Sequence, residues 1–417
     1  MAIDNKDKKV LKSSIEREQN EPACSAEREK IKGSKNLNVP PLRFPEFTEE
    51  WQEHKLCNIA SIVGRIGFRG YTTNDIVAKG KGAIALSPTN IENNRLTYDK
   101  DNTYISFYKY EESPEIMIKQ GDVVFVKTGS TVGKVAYVDK LMCKTTLNPQ
   151  VIVLKNIQCD NYLLSVLMST SRFQNAIRKI TVGGAVPTLS QAAMGDIAVT
   201  MPQVAEQEKL SKFISLLDKR IATQNKIIED LKKLKSAISE RLFKGIEGSF
   251  VLLSDICDIV KGKQINGENL SESGNYYVMN GGTEPSGYYS DYNVEANSIS
   301  ISEGGNSCGY VQFNTLPFWS GGHCYSIQNI ADNVNNLYLY HYLKSNEDVI
   351  MKLRIGSGLP NIQKKDLAMF KIIVPKIERQ ITISTFLSSL ERKVEIEERI
   401  QNAMLKEKLY LLQQMFI

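Results

Sequence analysis

The residues with the most suggestive chemical spacing form a Gly-rich run that resembles a phosphate-binding loop, Gly129-Ser-Thr-Val-Gly133-Lys134. A Walker loop has about four residues between its glycines and a Ser or Thr after the lysine, because these supply the backbone cradle and a magnesium ligand. Here three residues separate the glycines, and Val135 follows the lysine. The spacing therefore argues against nucleotide binding.

Other catalytic groupings are also incomplete. The chain has three histidines and seven scattered cysteines without a Cys-x-x-Cys pair, which argues against a zinc site, a His-based triad and a disulfide framework. The run Asn148-Pro149-Gln150 lacks the second proline and the aromatic residue of the amino-methyltransferase loop that it resembles. The Gly-Gly pair before His323 and Cys324 favours a turn that enters a strand. The sequence thus predicts no catalytic residue and no metal site.

Length and composition bound the class of protein. With 417 residues, 42% of them hydrophobic, the chain can hold two to four domains. No apolar run approaches the length of a membrane span, and the N-terminus has no signal-peptide core, so we expect a soluble cytoplasmic protein. Residues 51–200 contain 17 basic and 12 acidic residues, whereas residues 249–374 contain 8 basic and 12 acidic ones. Charge therefore permits DNA binding by the first region and gives the second no support.

One long helical segment occurs twice in the sequence, and its two copies must position the regions that precede them. Residues 201–243 match residues 374–416 without a gap, at a constant offset of 173 positions. Pro202, Gln207 and Phe213 find their counterparts at Pro375, Gln380 and Phe386. A repeat of this length indicates duplication.

Each copy carries apolar residues at alternating steps of four and three, which is typical of a coiled-coil seam. The predicted seam residues are Leu210, Ile214, Leu217, Ile221, Ile228, Leu231, Ile238, Leu242, Ile383, Leu387, Leu390, Val394, Met404, Leu411 and Met415. Polar residues interrupt the seam at Gln224 and Lys235, at their counterparts Glu397 and Lys408, and at Gln401, where Ile400 could take over the packing. We expect the two helices to pair antiparallel; in the alternative, each packs only on its own domain.

Strand-like runs occupy the regions between the helices. They lie at 82–87, 122–129, 134–139 and 148–155 in the first region and at 298–305, 310–314 and 324–330 in the second, with a helix near 161–180 and another near 335–353. The segments 56–63 and 253–260 are similar, and residues 127–135 share their Gly-x-x-x-Gly-x-Val spacing with residues 303–311. The two regions therefore follow one plan.

This order of elements resembles the DNA-specificity subunits of type I restriction-modification systems. The resemblance covers residues 40–416 and rests on the opening PPLRFPEFTEEWQEHKLCNIASIV, the GSTVGK run, the closing stretch GGAVPTLSQAAMGDIAV and the (M/V)PxxxxQ entry to each helix. It implies an α+β protein with two α/β target-recognition domains, separated by two long helices that pair as an antiparallel coiled coil with internal pseudo-two-fold symmetry. The predicted division is a charged tail over 1–38, recognition domains over 39–202 and 247–375, and helices over 203–246 and 376–417.

The resemblance also implies a function. Each recognition domain would read one half of a bipartite, asymmetric target in double-stranded DNA, while the helices set the gap and dock two methyltransferase subunits, which restriction subunits join. The specificity chain would not be catalytic, and S-adenosylmethionine, ATP and magnesium would be cofactors of the partner subunits only. No membrane is involved.

Candidate DNA contacts come from loops that carry the side chains used for base and phosphate recognition. They are Arg65, Arg69, Lys127, Ser130, Thr131 and Lys134 in the first region, and Lys261, Lys263, Gln264, Asn306, Asn361, Lys364 and Lys365 in the second. Two other classes of function stay open: a coiled-coil scaffold that binds only proteins, and, with less support, an autonomous nuclease or methyltransferase.

Overall fold

A computed structural model describes residues 38–98, 101–356, 358 and 360–417. The predicted tail over residues 1–38 therefore lies outside the described residues, apart from its last position. The described chain forms two compact units. Unit 1 comprises the described residues up to Asp218 together with Lys406–Ile417, and unit 2 comprises Lys219–Leu405.

Unit 1 is built on a six-stranded sheet in the order β2-β10-β7-β8-β5-β4, beside the sheets β6-β3-β9 and β1-β11. Its strands are β1 (Gln52–Lys55), β2 (Ser61–Gly64), β3 (Ala83–Leu86), β4 (Ile91–Glu92), β5 (Asn94–Leu96), β6 (Thr103–Ile105), β7 (Val123–Val126), β8 (Val135–Tyr137), β9 (Thr145–Leu147), β10 (Val151–Lys155) and β11 (Ala198–Met201). All four strand-like runs predicted for this region are strands.

The central strand β7 is apolar at every position because both of its faces are buried. Val123 and Phe125 belong to one core cluster, whereas Val124 and Val126 belong to a second cluster. Successive side chains of a strand point to opposite faces, so the run divides between the two clusters. The first cluster also contains residues of the helical segment 161–180, among them Leu163 and Phe173.

The helices of unit 1 before the long helix are α1 (Leu56–Ile59), α2 (Phe107–Glu111), α3 (Asn161–Ser169), α4 (Ser171–Ile180) and α5 (Gln191–Gly195). The single helix predicted near 161–180 is wrong in one respect, because Thr170 divides it. Thr170 has an extended backbone, and its side chain accepts a hydrogen bond from the Phe173 amide. Thr170 thus caps α4 and interrupts the helical path.

Unit 2 has the four-stranded sheet β13-β19-β16-β17, with the smaller sheets β15-β14-β18 and β12-β20. Its strands are β12 (Ser249–Leu252), β13 (Asp258–Lys261), β14 (Tyr276–Met279), β15 (Tyr288–Tyr289), β16 (Ser298–Ser302), β17 (Val311–Asn314), β18 (Trp319–Ser320), β19 (Cys324–Gln328) and β20 (Lys371–Val374). The three predicted strands are present, and Cys324 begins β19 directly after a turn, as its neighbouring glycines predicted.

The short helices of unit 2 are α7 (Leu253–Ile256), α8 (Asn336–Ser345), α9 (Glu347–Met351) and α10 (Lys364–Ala368). The helix predicted near 335–353 is also divided, here at Asn346, whose ψ of 17° departs from helical geometry. Residues of α8 pack with the main sheet in one core cluster that also includes Ile383 and Leu387.

The two long helices are α6 (Val204–Lys244, 41 residues) and α11 (Ile377–Met415, 39 residues). Within unit 2, Gln224 bonds to Glu397 and Lys235 bonds to Glu391. Within unit 1, Lys408 lies 2.5 Å from Asp218. As the residue number rises on one helix, that of its partner falls on the other. The predicted antiparallel pairing is confirmed.

Both units repeat the same attachment at the start of a long helix. In unit 1, Gln207 accepts from the amide of Asp160 at 2.8 Å and donates to the Pro202 carbonyl. In unit 2, Gln380 accepts from the amide of Asn335 at 2.7 Å and donates to the Pro375 carbonyl. Asp160 and Asn335 cap α3 and α8, respectively. The duplication seen in the sequence is thus a duplication of contacts.

Candidate nucleic-acid interface

The Gly-rich loop of unit 1 joins β7 to β8 and is held against the segment that closes the domain. The Gly129 amide donates to the Pro187 carbonyl at 2.9 Å, and the Leu189 amide donates to the Lys127 carbonyl at 2.8 Å. Gly129 and Gly133 have φ angles of 105° and 100°. Only glycine adopts such angles without strain, so these glycines shape the loop.

An open cleft of about 620 Å³ lies beside this loop. Its lining includes three of the predicted DNA contacts, Ser130, Thr131 and Lys134. The Ser130 and Lys134 side chains are exposed, and Thr131 is half-buried. Lys127 is half-buried at the start of the same loop. The structure therefore brings a hydroxyl pair and a cation together on an accessible surface.

Two asparagines that the sequence analysis missed line the same cleft. Asn93 and Asn94 form the turn between β4 and β5 with left-handed φ angles of 49° and 62°. Asn94 donates to the Ser165 hydroxyl at 3.1 Å. Asparagine amides pair with adenine edges, so these residues match the chemistry of Ser130 and Thr131. The adjacent asparagines are a turn signal, and only the fold shows that this turn faces the Gly-rich loop.

Arg65, also predicted as a DNA contact, serves inside the domain instead. It is 7% exposed, and its guanidinium donates to the carbonyls of Leu147 and Arg69 and to the Thr146 hydroxyl. A guanidinium that is buried and bonded to three groups of the domain is not accessible to a base edge, so we do not propose Arg65 as a DNA contact. Arg69 remains partly exposed and lies 3.7 Å from the Glu115 carboxylate.

Unit 2 builds the equivalent loop between β16 and β17 with the same backbone bonds. The Gly305 amide donates to the Pro360 carbonyl at 3.0 Å, and the Ile362 amide donates to the Glu303 carbonyl at 2.8 Å. Glu303 thus occupies the position of Lys127 in unit 1. One scaffold carries opposite charges at this position.

Glu303 organises a polar cluster that the sequence analysis did not foresee. Its carboxylate is 6% exposed, lies 2.6 Å from the Lys261 ammonium, and accepts from the Tyr325 hydroxyl at 3.1 Å. Burial raises the pKa of Tyr325, which keeps this hydroxyl a donor. His323 lies 3.7 Å from the second carboxylate oxygen and remains exposed. Lys261, a predicted DNA contact, therefore forms an ion pair with a carboxylate inside the domain.

The other predicted contacts of unit 2 are exposed. Lys263 and Gln264 follow β13, and the Lys263 carbonyl accepts from the Trp319 indole at 2.8 Å. The remaining four residues, Asn306, Asn361, Lys364 and Lys365, lie in or next to the Gly-rich loop, the closing segment and α10. Asn361 is bridged to Gly304, so the closing segment of unit 2 (residues 360–362) adjoins the Gly-rich loop as residues 187–189 do in unit 1.

Polar residues of the helix pair form two equivalent clusters, one within each unit. In unit 1, the Asp218 carboxylate accepts from Lys408 and, at 2.7 Å, from the Tyr162 hydroxyl. In unit 2, Glu391 accepts from Lys235 at 2.6 Å and from the Tyr340 hydroxyl at 3.1 Å. Burial raises the pKa of both tyrosines. The hydrogen bonds of each cluster join both long helices to a helix of the globular domain.

The predicted seam residues of both helices are all buried or half-buried. Gln224 is 9% exposed and donates to the Glu397 carboxylate at 2.7 Å. The expectation that Ile400 replaces Gln401 in the seam is wrong, because Ile400 is 43% exposed whereas Gln401 is half-buried and donates to Asn225. A hydrogen bond to a polar partner on the other helix lets the amide stay at this seam position.

The described residues contain neither a membrane-spanning helix nor a metal-binding group of side chains. No described helix has an apolar stretch long enough to traverse a bilayer. Across the same residues, His, Cys, Asp and Glu side chains form no group of three that could hold a metal ion.

Comparison with known proteins identifies the family. The model of the type I restriction modification DNA specificity domain matches residues 48–233 and again residues 247–406. The chain belongs to this family, and the resemblance drawn from its motifs is confirmed.

Relatives and solved structures agree with this assignment. The chain is 23% identical to the type I restriction enzyme MjaVIII specificity subunit of Methanocaldococcus jannaschii over 343 residues, which cover 72% of this chain and 79% of that protein. The S subunit of a type I restriction-modification system from M. genitalium has a TM-score of 0.62 at 16% identity, over 91% of this chain and 99% of its own. A chain from a structural study of type I assembly and conformational transition has a TM-score of 0.52 at 16% identity, over 88% of this chain and 97% of its own. These structures share the fold.

Proposed function

We propose that this type I restriction-modification specificity subunit reads a bipartite DNA target, with one half of the target recognised by each globular domain. The observation that carries the proposal is one loop scaffold built twice with different side chains. Residues 129–133 and 305–309 make the same backbone bonds to the closing segment. Equivalent frames that present different donors and acceptors would read different bases.

The side chains on the two loops differ in chemistry. The first cleft offers hydroxyls, amides and the Lys134 cation, whereas the second loop offers Asn306 and, nearby, the Glu303 cluster. Lysine contacts phosphates or guanine, asparagine pairs with adenine, and a carboxylate accepts from the cytosine amino group. We propose that Lys263, Lys364 and Lys365, all exposed, supply the phosphate contacts of the net-acidic second region.

We further propose that the helix pair sets the gap between the half-sites and docks two methyltransferase subunits, which the restriction subunits join. A helix of 41 residues extends for about 60 Å. Apolar side chains outside the seam remain exposed along both helices, among them Leu216, Leu234, Leu405 and Leu409 at 45–58% exposure. Ile396 and Ile400, both exposed and four residues apart, are adjacent on one face of α11, and contiguous exposed apolar surface supports a protein interface.

In this proposal the chain works in the cytoplasm without catalysing a step itself. Its relatives are specificity subunits. S-adenosylmethionine, ATP and magnesium would serve the methyltransferase and restriction subunits. The chain's own contribution would be to bind and orient the DNA.

The proposal is tested with a complex reconstituted from this chain and its methyltransferase subunits. Methylated adenines mapped across genomic DNA should define two short motifs separated by a fixed gap. Replacing residues 249–373 with those of a relative should change one half-site and preserve the other. A single contiguous motif, or sites unchanged by the swap, would contradict bipartite reading and favour a scaffold that binds only proteins.

A further inference from the structure

A segment of unit 1 lies along the first turns of α6 and has no counterpart among the described residues of unit 2. We call residues 40–51 the N-terminal strap. Its Arg43 guanidinium makes two hydrogen bonds of 2.7 Å to the Glu206 carboxylate, and the Trp51 indole donates to the same group at 3.2 Å. Glu206 is 1% exposed as a result. The strap therefore buries a charged residue at the start of the helix.

Further contacts continue along the same face of α6. The rings of Phe44 and Phe213 meet edge to face at 6.0 Å, and the Lys209 ammonium lies 4.5 Å from the centroid of Phe44. Strap carboxylates bond to Lys209 and, from Glu49, to Gln203. The strap thus contacts the row of residues 203, 206, 209 and 213, in which Glu206 is buried and Phe213 is half-buried.

No segment among the described residues covers the equivalent row at the start of α11 in unit 2, which we call the bare row. It consists of Lys376, Arg379, Thr382 and Phe386, all of them exposed, with Phe386 at 45%. In unit 2 the chain passes from the end of α6 through residues 245–248 directly into β12, so no segment is left to act as a strap. The start of the long helix is therefore repeated in unit 2, but the strap that contacts it in unit 1 is not.

An open cleft of about 570 Å³ adjoins this bare row, lined by Gly248, Pro375, Lys376 and Arg379 among others. Gly248 precedes β12 as Trp51 precedes β1, but a Cβ at this position would lie 2.6 Å from the Val374 carbonyl oxygen, so the backbone leaves no room for a side chain there. In unit 1 the Phe44 ring of the strap packs against Phe213, whereas Phe386, the counterpart of Phe213, is 45% exposed and offers the same contact to an aromatic side chain.

The charges on the bare row differ from those under the strap. Lys376 replaces Gln203 and Arg379 replaces Glu206, while Glu247 is the acid in the cleft lining. We propose that this face binds an extended segment of a partner subunit in which an aromatic residue is flanked by acidic residues. The identification of the partner rests on the proposed function, because it takes the occupant to be a subunit of the same complex.

The chain's own strap does not fit this face. Its Arg43 would stand opposite Arg379, where like charges repel. In addition, the strap is engaged on α6 within its own unit. The same mismatch disfavours the strap of a second copy. A segment with an acid at the position of Arg43 would instead form the ion pair that unit 1 makes with reversed signs.

Two labelled peptides and the full chain test the charge rule. One peptide has the sequence of residues 39–50, and the other carries Arg43→Glu in that sequence. Fluorescence anisotropy should show the Arg43→Glu peptide binding at least about tenfold more tightly than the unmodified one. In the Arg379→Glu chain the preference should reverse. Arg392→Glu, an exposed arginine on another face of α11, is the matched control and should preserve the preference.

Adding the methyltransferase and restriction subunits should displace the Arg43→Glu peptide, because the partner segment then covers the face. Peptide binding that ignores Arg379→Glu, or that persists in the complete complex, would overturn the inference. A dimer of the free chain that Arg379→Glu dissociates would place a second copy on the face and would also overturn it. None of these results bears on methylation mapping, so the proposed DNA recognition stands or falls separately.

Discussion

His341 gives unit 2 a stability that should depend on pH. It lies on α8, is 4% exposed, and its Nε2 atom is 2.9 Å from the Ser388 hydroxyl of α11. Burial lowers its pKa from 6.5 to about 4, although Glu391 opposes the shift and Lys235 adds to it. The Tyr340 ring packs beside it at 4.9 Å. The folded protein therefore holds this imidazole neutral in mildly acidic solution.

The sign and size of the effect follow from proton linkage. Below its ordinary pKa of 6.5 the unfolded imidazole takes up a proton, whereas the folded one does so only near its pKa of about 4. The contribution of the neutral His341 to the free energy of unfolding is therefore fully present above pH 6.5, and it falls as the pH decreases from 6.5 towards 4. One pKa unit corresponds to about 1.4 kcal/mol, so the full loss is about 3 kcal/mol.

Urea unfolding followed by circular dichroism at pH 7 and pH 4.5 measures this loss. The His341→Gln variant lacks the titrating group, and its amide can still bond to Ser388. We expect the wild type to lose about 2–3 kcal/mol more than the variant between the two pH values. His54→Gln, which removes a histidine from another part of the chain, serves as the control. Equal losses in wild type and His341→Gln would refute the reasoning.

Three other perturbations have defined outcomes. Gln224→Leu should lower the free energy of unfolding by about 1–2 kcal/mol, because the Glu397 carboxylate loses its donor in the seam; adding Glu397→Leu should restore it in urea titrations. Glu206→Ala should cost about 3–5 kcal/mol in the same assay, since Arg43 is left unpaired in a site where its side chain is 10% exposed. Lys134→Ala should weaken DNA binding by the reconstituted complex and reduce the salt slope of log K by about one.

Each of these three predictions has a contrary result. A double seam variant less stable than either single variant would show that the polar pair is worth more than the packing of two leucines. Glu206→Ala with unchanged stability would mean that the strap contributes nothing to unit 1. An unchanged salt slope for Lys134→Ala would remove that lysine from the phosphate contacts, with Lys127→Ala as the neighbouring comparison.

Local sequence patterns were sufficient to predict much of the fold. The seam positions could be predicted because a helix brings residues three and four apart onto one face, whatever the rest of the chain does. The strand at 122–129 was visible for a similar reason, since a run of apolar residues between turn signals is a buried strand. The breaks at Thr170 and Asn346 were missed, because a single capping residue within an apolar pattern gives a weak signal.

The candidate site was less predictable. Arg65 and Lys134 both looked like loop cations, and the fold buries one and exposes the other. Glu303 gave no sign of its role, because Lys261, His323 and Tyr325 approach it from separate segments of the chain. The burial and the hydrogen-bond partners of such residues depend on contacts between segments that are distant in sequence, and a short sequence pattern contains no information about those contacts.

The sequence by itself determined the duplication, the paired helices and the family, because each follows from repeated spacing and from motifs in a fixed order. Only the tertiary structure decided which surfaces stay free. The N-terminal strap contacts the start of α6, whereas no described segment covers the start of α11, although the same proline and glutamine stand at both helix starts. The physical reason is that a helix face is buried by segments far away in sequence, and their arrival depends on the path of the whole chain.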